Sequence, residues 1–126
     1  MATGVAITPE KLARYRATAQ RRWEEEQAAI ATRRQAALAV AERAAALLRA
    51  RFSATRVVIF GSLIHPEGFT LTSDIDLAAS GISSDDYFIA VAHLQDLSSE
   101  FQIDLVDLER GKPALLAVIE AEGNPL

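Results

Sequence analysis

The sequence predicts an α+β fold, a small mixed β-sheet core preceded by a long N-terminal helix. Three observations carry that reading. No Gly or Pro occurs between Pro9 and Gly61, and the strong helix formers Ala, Arg, Glu and Gln dominate residues 10–51. Three short apolar runs follow, RVVIF at 56–60, SDIDLAA at 73–79 and FQIDLVD at 101–107. Helix start and stop signals stand between the second and third runs and again after the third. The expected division is a helical extension over residues 1–54 and a compact domain over 55–126.

Thr8 and Pro9 form a helix start, as N-cap and first helical residue. Ile30, Ala37, Leu38, Ala41, Ala45, Leu48 and Phe52 supply an apolar stripe fit to pack on a sheet. Leu12, Tyr15, Ala19 and Trp23 keep a three-to-four spacing further upstream, among arginines and Glu24-Glu25-Glu26. A break near residues 24–33, giving two helices, is compatible with this pattern. Strand 56–60 then leads into a Gly61-Ser62 turn and a loop with Pro66 and Gly68. Strand 73–79 ends near Ser80-Gly81. Ser83 or Ser84 caps a helix with Asp85 and Asp86 in its first turn, where the helix dipole favours them. Tyr87, Val91 and Leu94 are its expected buried stripe. Strand 101–107 follows, and Pro113 opens a last helix over 114–122 that Gly123 ends.

The 126 residues contain no cysteine, which excludes disulfides and thiolate metal sites. No apolar run approaches the ~20 residues of a membrane span. Met1-Ala2-Thr3-Gly4 resembles neither a signal peptide nor a myristoylation site. A cytoplasmic protein with no membrane partner is expected. The net charge of −4 is unevenly spread: residues 1–56 carry 11 Lys/Arg against 5 Glu, and residues 57–126 carry 2 Lys/Arg against 12 Asp/Glu. An acidic second half suits divalent metal, and a basic first half suits an acidic partner or nucleic acid.

Asp74 and Asp76 stand at i and i+2, so on a strand their side chains share one face. Carboxylates within an apolar strand are costly unless paired or metal-bound. Mg²⁺ prefers one or two carboxylates plus substrate phosphates, whereas a calcium loop needs turn residues between its ligands. Gly61 lets backbone approach a phosphate closely, and Ser62 adds a hydroxyl and an N–H. Asp104, between Ile103 and Leu105, offers a third carboxylate that could help deprotonate an attacking hydroxyl. His65 lies in the loop beside this turn, and His93 reads as a structural helix residue. Two histidines without cysteine cannot build a zinc site, and no Ser/His/Asp arrangement has workable spacing. Trp23 and Tyr15 read as anchors for a partner or a second copy.

VVIFGS, SDIDLA and FQIDLV together resemble the minimal nucleotidyltransferase domain of the DNA polymerase β superfamily, of the antitoxin type paired with HEPN toxins. The match covers roughly residues 55–125. The resemblance implies a polymerase β-like core, with Asp74, Asp76 and Asp104 as catalytic metal ligands for Mg²⁺. It implies nucleotide contacts at Gly61, Ser62 and Ser73, with ATP as substrate. It further implies an antitoxin that transfers AMP to a tyrosine of a HEPN ribonuclease toxin. The chain departs from the pattern at Leu63, where many such antitoxins carry Arg. Rival expectations are a stoichiometric antidote that acts by binding alone, and nucleotidyl transfer to another acceptor. Self-association through the N-terminal helix is expected as well, without direct nucleic-acid binding.

Overall fold

The computed structural model describes residues 6–126. Met1-Ala2-Thr3-Gly4 and the start of the 1–54 extension lie outside the described residues. A single helix, α1 (Pro9–Phe52), runs for 44 residues without the break considered near 24–33. At 1.5 Å per residue it is ~66 Å long. The Thr8 side chain accepts from the Lys11 amide at 3.1 Å, and Pro9 fills the first turn. Nothing interrupts the ladder until Ser53, which adopts the left-handed conformation (φ 61°) and donates its N–H to the Leu48 carbonyl.

The chain continues as β1 (Arg56–Phe60), two short 3₁₀ turns (Gly61–Ile64 and Pro66–Gly68), β2 (Ile75–Ser80), α2 (Ser84–Leu97), β3 (Ile103–Asp107), α3 (Pro113–Glu122) and β4 (Asn124–Pro125). The sheet has the order β3-β2-β1-β4 and is mixed. β1 is antiparallel to β2 and to β4, while β2 and β3 are parallel with α2 as their crossover.

Two strand boundaries differ from expectation. β2 begins at Ile75 and β3 at Ile103, each two residues late. Before β2, the Ser73 amide bonds the Thr70 carbonyl (3.3 Å) and the Ser73 hydroxyl accepts from the Thr70 amide (2.9 Å), which ties residues 70–73 into a turn. Before β3, the Ser98 hydroxyl accepts from the amides of Glu100 and Phe101, which closes the turn after α2. β4 had no sequence signal, being two residues long with a proline.

Strand alternation sorts the apolar residues onto two faces. Val57, Ile59, Ile75, Leu77, Ala79, Ile103 and Leu105 belong to one core with α1 and α2. The α1 contribution is Ala37, Val40, Ala41, Ala44, Ala45, Leu48 and Phe52, all buried. On the other face Val58 and Ala78 pack under Ile119 of α3, flanked by Phe60, Val106 and Leu108. α2 buries Ala90 and Leu94, with Tyr87 and Val91 half-buried. No helix of the described residues is long and apolar enough to cross a membrane.

Candidate nucleotidyl-transfer site

Three strand ends meet at one rim of the sheet. The register pairs Phe60 of β1 with Asp76 of β2, and Asp76 with Asp104 of β3. Asp76 and Asp104 are therefore neighbours on adjacent parallel strands, and alternation turns both to the face that carries α3. Asp74 is the last residue before β2 rather than part of it, and it is exposed, as is Asp104. Asp76 is half-buried. Burial first, and then the charges of Asp104 and Asp74, push its carboxyl above the usual carboxylate range.

Gly61, the residue after β1, has φ +75°. A Cβ placed on it would come within 2.4 Å of Asp76 Oδ2, so its backbone lies directly against the carboxylate. Two reasons thus demand glycine here, the left-handed backbone and the missing space. Ser62 lies half-buried in the same 3₁₀ turn. The Ser73 hydroxyl, expected at the nucleotide, is engaged within its own turn with Thr70.

The carboxylates share a rim but do not close into a cage. Among the described residues no group of three or more His, Asp or Glu side chains is drawn together around a metal position. Asp104 Oδ1 instead accepts from Gln102 Nε2 at 3.1 Å. None of the ion pairs among the described residues reaches Asp74, Asp76 or Asp104. Hard oxygen donors of this kind, open to solvent on one side, fit Mg²⁺ accompanied by substrate phosphates.

Two arginines that sequence reasoning had not assigned hold this rim together. Arg34 Nε donates to the Leu63 carbonyl at 3.0 Å, behind Gly61 and Ser62. Arg33 Nη2 donates to the Ser73 carbonyl at 3.1 Å, one residue before Asp74. The same guanidinium stacks 4.4 Å from the Phe101 ring and lies 3.9 Å from Glu100, just ahead of β3. Each of the three site segments is thereby tied to one turn of α1. The available signal was positional: Arg33-Arg34 interrupts the apolar stripe where it passes from exposed to buried.

The other candidates stand apart. His65 lies between Glu67 (3.7 Å) and Glu122 (3.5 Å), in reach of α3 rather than the Asp trio. His93 packs edge-on against Phe52 at 5.4 Å, in keeping with a structural role. Asp107, at the far end of β3, accepts from the Glu109 amide at 2.9 Å and pairs with Arg110. A cleft of about 380 Å³ beside Tyr87, Phe88 and Asp107 includes none of Gly61, Ser62, Ser73, Asp74, Asp76 or Asp104.

No protein-family model and no curated protein matches the sequence. Solved structures do match by fold. One described as a minimal nucleotidyltransferase is 28% identical, with 80% of this chain and 96% of that chain covered, at a TM-score of 0.50. A toxin–antitoxin crystal structure with AMP-PNP is 21% identical, covering 68% and 70% of the two chains at a TM-score of 0.58. A third contains a tri-AMPylated Shewanella oneidensis HEPN toxin in complex with an MNT antitoxin, at 20% identity, 70% and 69% coverage and a TM-score of 0.54. This chain has the fold these structures share, that of a minimal nucleotidyltransferase.

Proposed function

We propose that this chain is a Mg²⁺-dependent nucleotidyltransferase that acts as the antitoxin of a HEPN/MNT pair, transferring AMP from ATP to a tyrosine of the HEPN toxin in the cytoplasm. The observation that carries the reading is the placement of Asp76 beside Asp104 on one face, with the Gly61 backbone against Asp76. The fold neighbours support it, since one is a complex with AMP-PNP and another holds an AMPylated HEPN toxin.

Asp74, Asp76 and Asp104 are the residues that would hold the divalent ion. When bound, Mg²⁺ supplies charge neutralisation for the triphosphate and the leaving pyrophosphate. The 3₁₀ turn headed by Gly61 offers its backbone amides to a phosphate, and Ser62 adds a hydroxyl. Asp104, the more exposed of the strand carboxylates, takes the proton from the tyrosine hydroxyl. The phenolate oxygen then forms a bond to the α-phosphorus, and the α–β bridging bond breaks to release pyrophosphate. Positioning and electrostatics are all the protein must contribute, within reach of a sheet of four strands.

Intact-mass measurement of a HEPN toxin incubated with this chain, ATP and Mg²⁺ tests the reading. The expected product is heavier by one or more AMP units, and Asp76→Asn removes the shift. A second reading, an antidote that neutralises by binding alone, is favoured by one observation, the uncovered N-terminal half of α1. In that case Asp76→Asn neutralises the toxin as well as the wild type does and no mass shift is seen with either.

A further inference from the structure

The first half of α1 is almost wholly uncovered. Residues 9–29 are exposed throughout except Thr18, and Ile30 is the first apolar residue of the helix to pack against the core. Arg33 and Arg34 mark the rim of the sheet, so the helix overhangs the domain by roughly 30 Å at 1.5 Å per residue. The overhang is not polar all round. At 100° per residue, Leu12, Tyr15, Ala19 and Trp23 fall on the same line as Ala37, Ala41, Ala44 and Leu48, which cover the sheet. The face that builds the core thus continues into solvent, with Tyr15 61% and Trp23 57% exposed.

We propose that this overhang pairs antiparallel with the same segment of a second copy, about a two-fold axis at Ala19. The uncovered segment runs from the N-cap Thr8 to Ile30, and Ala19 is its midpoint. A small residue at the crossing lets two helices approach closely. About that axis Tyr15 stands opposite Trp23 of the second copy, and Leu12 lies next to the same ring. Charge selects the direction. Lys11, Arg14, Arg16, Arg21 and Arg22 precede Glu24, Glu25 and Glu26. Antiparallel pairing brings Lys11 of each copy beside Glu26 of the other; parallel pairing sets Lys11 against Lys11 and Glu26 against Glu26. Glu26 lies within the apolar stripe itself, where a carboxylate needs a cation, and Lys11 of the second copy comes beside it. The pair ends where each domain begins, since position 8 of one copy falls opposite position 30 of the other.

The proposal is independent of the transferase activity, and sedimentation of the full chain alone tests it. A dimer is expected, and a monomer throughout the micromolar range overturns it, including one that associates only with a different protein. Lys11→Glu should weaken the dimer at least tenfold. Adding Glu26→Lys to the same chain should restore it, and failure to restore it rejects the antiparallel register. The chain has no cysteine, so single substitutions report geometry cleanly. Ala19→Cys should form an intermolecular disulfide on mild oxidation. Leu12→Cys should not, because its two copies would be ~21 Å apart along the axis. Efficient cross-linking through position 12 overturns the model of two antiparallel helices. Circular dichroism confirms that each variant keeps its fold.

Discussion

Gly61 and Asp76 occupy each other's space: the carboxylate fills the volume that any side chain at position 61 would need. Gly61→Ala is therefore expected to displace Asp76 and to strain a backbone at φ +75°. The strain alone costs about 1–2 kcal/mol. Urea denaturation should show at least that loss, and AMP transfer should fall by a larger factor than stability explains. Gly68→Ala is the internal control, because a Cβ there would meet nothing closer than 3.9 Å. It should be close to neutral in both assays.

The raised carboxyl of Asp76 has a signed consequence for stability. With a folded pKa above the unfolded one, the folded state binds the extra proton, so stability falls as pH rises from the unfolded value through the folded one. Without metal, Asp76→Asn should thus melt above the wild type at pH 7. The gap should close below about pH 4, where the unfolded carboxyl is also protonated. Mg²⁺ should raise the wild-type melting temperature and leave that of Asp76→Asn little changed. An Asn variant that melts below the wild type at neutral pH would contradict the burial and the neighbouring charges assigned to the Asp76 carboxyl.

Arg34→Ala should cost about 1.5–3 kcal/mol for a lost hydrogen bond from a charged donor. Its larger effect is expected on transfer, since the Leu63 carbonyl no longer anchors the turn holding Gly61 and Ser62. Arg34→Lys, with no Nε in the same place, should recover stability better than it recovers transfer. Equal loss of both in the two variants would reduce Arg34 to a packing residue.

Gly123 breaks α3 without a left-handed backbone. A Cβ there would lie 2.4 Å from Val58 Cγ1 and 2.6 Å from the Ile119 carbonyl oxygen. Gly123→Ala should destabilise by about 1–3 kcal/mol through overpacking, read from the shift in denaturant midpoint. Because Val58 faces α3 at the centre of β1, the site residues should keep their metal response.

Much of this molecule was legible from residue order. β1, the Ser83 cap of α2 and the Pro113 start of α3 follow from short-range rules, and each lies where expected. β2 and β3 start two residues inside their apolar runs because side chains of Ser73 and Ser98 compete locally for backbone groups that an extended strand would otherwise use. β4 exists only because β1 offers a partner, with Asn124 opposite Ile59, and no two-residue pattern encodes that. The unbroken α1 was favoured by propensity yet obscured by its mixed stripe. Arg33 and Arg34 were invisible as site residues because their partners are carbonyls 40 and 29 positions away.

The parallel ladder between β2 and β3 has one more consequence. Inserting a single residue between Ser98 and Ile103 would rotate every β3 side chain half a turn, bringing Asp104 into the oily layer under α2 and expelling Ile103 and Leu105. Chemistry and solubility thus depend on the same alternation. Any lesion that misaligns the acidic neighbours also exposes grease, and a cell's proteases would discard such a chain before its lost activity mattered.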